Sequence, residues 1–236
     1  MGISDYLAEL VHAQLEDRKP QAIPQGITIE EIMDIAKRNH MEYLLLGALL
    51  RLDNFSESYI GELRRRVMNS LMRTMAQVTE FNDLEKKFEA AGIKNQAMKG
   101  ARMRFLYPMP QLREMSDVDI LVDAACMKQA AQLLSENGYT LAKSIKHHDI
   151  YIKQPFMALE VHKVMYDKTV DGGQYKYFSN FSKAIPVEGK KYTYDFNRED
   201  FYIYMMAHMA KHFIQWAAVY VIWWMFTYIR KNTVRF

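Results

Sequence analysis

Two aspartates one residue apart stand at the head of an apolar run, Asp117-Val118-Asp119-Ile120-Leu121-Val122. In an extended chain, alternation turns Asp117 and Asp119 to one face and Val118 and Ile120 to the other. The carboxylates are then roughly 6–7 Å apart along the strand, a spacing suited to sharing a pair of divalent cations. Without a cation, two such like charges repel. Leu121 and Val122 continue the run, so the acids sit at the mouth of a buried strand and not on an exposed turn. A cation pair calls for a third carboxylate, and Leu159-Glu160-Val161-His162 supplies Glu160 with His162 on the same face. Packing or support, not ligation, is the expected role of His162. Because paired acids cost stability, changing Asp117 or Asp119 to Ala is expected to leave the fold intact.

The elements that must hold these residues follow from periodicity. Residues 1–92 read as helix throughout, with short patterns at Tyr6–Leu15 and Ile29–Asn39 and a loop marked by Pro20, Pro24 and Gly26. After Ser56, apolar residues recur at steps of three and four: Leu63, Val67, Leu71, Met75, Val78, Phe81, Leu84 and Phe88. This predicts one helix of some 35 residues, closed by Gly92. Beyond Gly92, β-like runs appear at Ile93–Met98, Val118–Val122, Tyr139–Ala142, Asp149–Lys153, Ala158–His162 and Lys191–Tyr194. A helix over Ala125–Asn137 ends at Gly138, and helix returns at Arg198–Phe213. The predicted fold class is α+β: a small mixed β-sheet core with a helical N-terminal layer and a C-terminal helix. The predicted regions are 1–92 (helical), 93–196 (α+β core) and 197–236 (helix and apolar tail).

Composition narrows the function classes. Half of the residues are apolar, so a sizeable core can form. A net charge of +3 is not that of a nucleic-acid binder with a clustered basic face. Arg64-Arg65-Arg66 lies in a helical pattern and reads as a solvated face. One cysteine, Cys126, excludes an intrachain disulfide and a multi-cysteine zinc site and fits a reducing cytoplasm. No signal-peptide pattern opens the chain. The seventeen methionines are expected to fill core gaps.

Taken in order, the motifs resemble a known family. Lys99-Gly100, the Tyr107–Pro110 turn, Arg113, the Asp117/Asp119 strand, the Glu160/His162 strand and a later His208/His212 pair are similar to the bacterial uncharacterised nucleotidyltransferases. That family lies within the DNA-polymerase-β-type nucleotidyltransferase superfamily, and the resemblance covers roughly residues 40 to 213. The glycine motif departs from the superfamily's common Gly-Ser or Gly-Gly, since Lys99-Gly100-Ala101 stands there. The resemblance implies transfer of a nucleoside monophosphate from a nucleoside triphosphate to a hydroxyl of an acceptor, with Mg²⁺ or Mn²⁺ held by Asp117, Asp119 and Glu160. Two cations would activate the acceptor hydroxyl and steady the leaving pyrophosphate. Gly100 would let the triphosphate approach the backbone, and Lys99 and Arg113 would contact phosphate, Arg113 through its bidentate fork. The acceptor is not legible; a small molecule or protein is favoured over nucleic acid. The alternative is a non-catalytic module that binds nucleotide or a partner on the same fold.

Two features stand apart. His208 and His212 share a helix face at zinc-ligand spacing, yet no accompanying glutamate or cysteine completes a zinc site, so a cleft-lining or packing role is expected. Phe213–Ile229 looks like a short membrane span, but no true anchor is expected. When the codons from about Trp216 onward are read one frame over, Trp223-Trp224-Met225-Phe226 forces Val-Asp-Val. The preceding residues allow Gly-Gly-Gly-Ile-Arg-Asp-Leu, and together these match the resembling family's soluble segment. The tail is therefore expected to be frame-shifted and the activity of this chain to be weak. The coding DNA tests this: a longer family-like ending in the unshifted frame supports it, and a gene natively encoding Trp223 to Phe236 refutes it.

Overall fold

A computed structural model describes residues 1–53 and 55–216, without the side chains of residue 180 and residues 211–216. The predicted frame-shifted tail and the side chain of His212 lie outside these described residues. The chain is a mixed α+β protein that divides into two compact units. One is formed by residues 1–75 and 104–116, the other by residues 76–103 and 117–216.

The first unit is helical. α1 (Ile3–Leu15), α2 (Ile29–Arg38) and α3 (Glu42–Leu49) are joined by the first half of α4 (Glu57–Ala90). Tyr6, Leu10, Ile32, Met33, Leu44, Leu45 and Leu49 are fully buried. α2 starts where a capping box is available: the Glu31 N–H donates to Thr28 Oγ1 at 3.2 Å and the Thr28 N–H donates to Glu31 Oε2 at 2.9 Å. The returning segment is tied in by Glu114, which is buried and accepts from the Tyr43 N–H at 2.6 Å and from the Ser70 hydroxyl.

α4 departs from its predicted stripe. Leu63, Val67, Phe81, Leu84 and Phe88 are buried, but Met75 is 53% exposed and Leu71 and Val78 are only half-buried. Between Val67 and Phe81 the buried track runs Ser70, Thr74, Gln77, keeping steps of three and four with polar residues. Each of these side chains makes a hydrogen bond there. The Thr74 hydroxyl donates to the Ser70 carbonyl at 3.0 Å and Gln77 Nε2 donates to the Phe156 carbonyl at 3.3 Å. Two tracks on one helix face share the same period, and hydropathy favours the one that the packing rejects. The C-terminus of α4 follows the sequence: Gly92 has φ +73°, and the Ile93 N–H closes on the Phe88 carbonyl at 2.9 Å.

The second unit holds a seven-stranded mixed sheet in the order β3-β4-β5-β2-β1-β7-β6. Its strands are β1 (Asn95–Ala97), β2 (Val118–Val122), β3 (Thr140–Ser144), β4 (His148–Lys153), β5 (Met157–His162), β6 (Ala184–Pro186) and β7 (Thr193–Phe196). β2 pairs parallel with β5 and β1 with β7, and the other pairs are antiparallel. β6 has no counterpart among the predicted runs. α5 (Lys99–Met103) follows β1, α6 (Met127–Glu136) follows β2, α7 (Gly172–Phe178) precedes β6, and α8 (Arg198–Trp216) follows β7. α6 stops at Gly138, which takes φ +81°. β2 is buried at every position, the signature of a strand covered on both faces.

Phe88 is fully buried at the end of α4. Truncation to alanine removes a ring that its surroundings cannot refill, so Phe88→Ala is expected to lower unfolding free energy by about 3–5 kcal/mol. Urea denaturation at unchanged m-value is the check, and a loss below about 1 kcal/mol would contradict this packing.

Candidate active site

The register of the sheet brings the acidic residues together. Asp119 of β2 lies directly across from Glu160 of β5, and Leu121 lies across from His162. On the far side of β5, His148 of β4 faces His162. Cα partners in register share a face, so Asp119, Leu121, Glu160, His162 and His148 stand on one side of the sheet. Asp117 immediately precedes β2 and is half-buried.

Lys99, the first residue of α5, enters this face. Its backbone is left-handed, with φ +44°, a conformation that a side chain with Cβ rarely adopts. From there its Nζ reaches Asp119 Oδ1 at 2.6 Å. Burial alone would lower the Lys99 pKa, but the charge of Asp119, joined by those of Glu160 and Asp117, holds it above the ordinary lysine value. The ammonium thus sits in the field of all three carboxylates singled out from the sequence.

Histidines complete the cluster. His162 Nε2 lies 2.9 Å from Asp119 Oδ1 and 3.3 Å from Glu160 Oε2, shared between the two acids. Burial opposes a charge on His162, yet these bonds raise its pKa above the usual histidine value. Asp119 responds in kind: burial would favour its neutral form, but the Lys99 charge and the His162 bond hold its carboxyl well below the usual range. The His162 bond also keeps Glu160 low, against burial and the Asp119 charge. His148 Nε2 lies 3.6 Å from Glu160 Oε1, and its ring is 4.7 Å from that of His162. Burial lowers the His148 pKa and favours the neutral, metal-binding form. His148, Glu160 and His162 each offer a ligand atom within 4.8 Å of the others.

Sequence reasoning attached no role to His148. Alternation along β4 puts it with Ile150 and Ile152, but which strand face meets the acids depends on the β4–β5 register. Tyr204 of α8 was missed too. Its hydroxyl is buried, and burial, Tyr166 and the Asp119 charge together push its pKa well up. The His208 ring stacks on it at 6.3 Å, a packing contact. Arg113 belongs to the first unit, where its Nη1 donates to the Glu114 carbonyl.

The profile of a family described as uncharacterised nucleotidyltransferase matches residues 25–232. The chain belongs to the uncharacterised nucleotidyltransferase family. Membership supports nucleotidyl transfer in general, and with it a nucleoside triphosphate as substrate. The match continues past Trp216, into the segment for which a shifted frame is expected. No curated protein and no solved structure matches the chain. Among the described residues, no helix is long and apolar enough to cross a membrane.

Proposed function

We propose that this nucleotidyltransferase transfers a nucleoside monophosphate from a nucleoside triphosphate to a hydroxyl of an acceptor, with Asp117, Asp119 and Glu160 as its metal-holding carboxylates, in the manner of the polymerase-β superfamily. The observation that carries the reading is the pairing of Asp119 with Glu160 across β2 and β5, with the Lys99 ammonium 2.6 Å from Asp119 Oδ1.

The residues fit a divalent cation. Three carboxylates give the oxygen-rich donor set that Mg²⁺ takes, and His148 and His162 beside Glu160 add nitrogen donors that Mn²⁺ accepts more readily. The same acids already hold the Lys99 ammonium, so the site is built for positive charge. When bound, the metal would supply Lewis-acid stabilisation of charge at the reacting phosphate. Lys99 is positioned to exchange Asp119 for a phosphate oxygen, and His162 to hold Asp119 and Glu160 in place. Gly100 and Arg113 keep their proposed roles at the phosphates. The acceptor is a small molecule or protein, and a single cysteine suits a reducing cytoplasm.

Pyrophosphate release from each nucleoside triphosphate, with and without EDTA and with candidate acceptors, tests the proposal. Release that needs both acceptor and divalent ion supports it. Tight nucleotide binding without any release under these conditions supports the non-catalytic binding module instead.

A further inference from the structure

A cavity opens where β2 and β5 end, lined in part by Leu121, Lys163, Tyr166, Tyr175, Phe178 and Phe181. We infer that this cavity receives the nucleobase of the nucleoside triphosphate, with Tyr175 as a stacking residue that sets nucleotide affinity. The inference rests on the nucleotidyl-transfer reading and assigns that site its nucleoside end.

Position is the first argument. Leu121 follows Asp119 by two residues on the same face of β2, a separation of roughly 6–7 Å. The cavity therefore begins about one ribose length from the Asp119 position, the offset that separates a base from its α-phosphate. Chemistry is the second. Its walls are aromatic rings and a leucine, with Asp123 and Lys163 at the polar margin. That is the mixture of flat apolar surface and a few hydrogen-bonding groups that a heterocycle requires. Rigidity is the third. Phe178 packs edge-on against Phe196 at 5.5 Å and Tyr204 at 5.8 Å, and Tyr166 stacks on Phe178 at 5.7 Å. These rings form a buried wall, whereas Tyr175 is only half-buried and free to meet a ligand without supporting the core.

The test compares a ligand that has a base with one that lacks it. Calorimetry with Mg²⁺ is run on the full chain, as wild type, Tyr175→Ala and Tyr175→Phe, against inorganic tripolyphosphate and each of ATP, GTP, CTP and UTP. Stacking on an aromatic side chain is worth about 1–3 kcal/mol per base, so Tyr175→Ala is expected to weaken the preferred nucleotide about 5- to 150-fold. Tripolyphosphate affinity should not change, and Tyr175→Phe should retain nucleotide affinity. Unchanged nucleotide affinity in Tyr175→Ala, equal losses for both ligands, or a wild type that binds no nucleotide tighter than tripolyphosphate overturns the pocket assignment alone. A wild-type chain that binds neither ligand overturns the transfer reading and the pocket with it.

Discussion

Asp119→Asn is expected to reduce metal-dependent pyrophosphate release by more than about a hundredfold. Outer-shell groups that only orient a metal ligand already cost about 10- to 100-fold when removed, and Asp119 is placed as a ligand itself. The substitution keeps the size of the side chain but withdraws the charge that faces Lys99 and His162. Nucleotide affinity in the presence of Mg²⁺ should fall alongside the rate, because the same carboxylate would hold the metal for both. An Asp119→Asn chain that retains a tenth or more of wild-type release would remove Asp119 from the metal site.

The second large effect concerns stability. The sequence alone led to the expectation that either aspartate can be replaced without harm to the fold, since paired acids repel. The structure changes this for Asp119, whose carboxylate accepts from Lys99 at 2.6 Å with side chains only 7% and 24% exposed. Removing one partner of such a pair strips the other charge of its nearest counter-charge. Asp119→Leu is therefore expected to lower the unfolding free energy by about 3 kcal/mol, near the lower end for broken buried pairs. The double variant Asp119→Leu, Lys99→Met replaces the pair with apolar groups and should recover most of that loss. Chemical denaturation of the two single variants and the double completes the cycle. A double variant as unstable as Asp119→Leu would show that the ion pair is not the source of the effect. Asp117, half-buried and just outside the strand, should be replaceable at little cost.

Much of this site was legible because strand alternation is a local rule. Asp119 and Glu160 could each be assigned a face from their own neighbours, and Lys99 came from the resemblance of Lys99-Gly100 to the family motif. What remained hidden depended on register and on unit membership. His148 begins β4, and its approach to Glu160 follows from the pairing of Ile150 with Glu160, which no local pattern states. His162 was expected to pack. It is indeed buried, but it packs between two carboxylates and bonds to both. Helices were legible where their ends were explicit, as at Gly92 and Gly138. Within α4, by contrast, the exposed Met75 and the buried Gln77 could not be told apart from period alone. β6 spans three half-exposed or exposed residues, Ala184–Pro186, too few to alternate visibly.

The central claim is that the three carboxylates bind nucleotide through a divalent cation, and Asp117 is the residue on which to test it, since its loss should spare the fold. Calorimetric titration of nucleoside triphosphates into the wild-type chain and Asp117→Ala, each with Mg²⁺, with Mn²⁺ and with EDTA, measures this directly. The account predicts binding by the wild type only when the divalent ion is present, and no metal-dependent binding by a folded Asp117→Ala chain. Asp117→Ala binding nucleotide with Mg²⁺ as tightly as the wild type would contradict it.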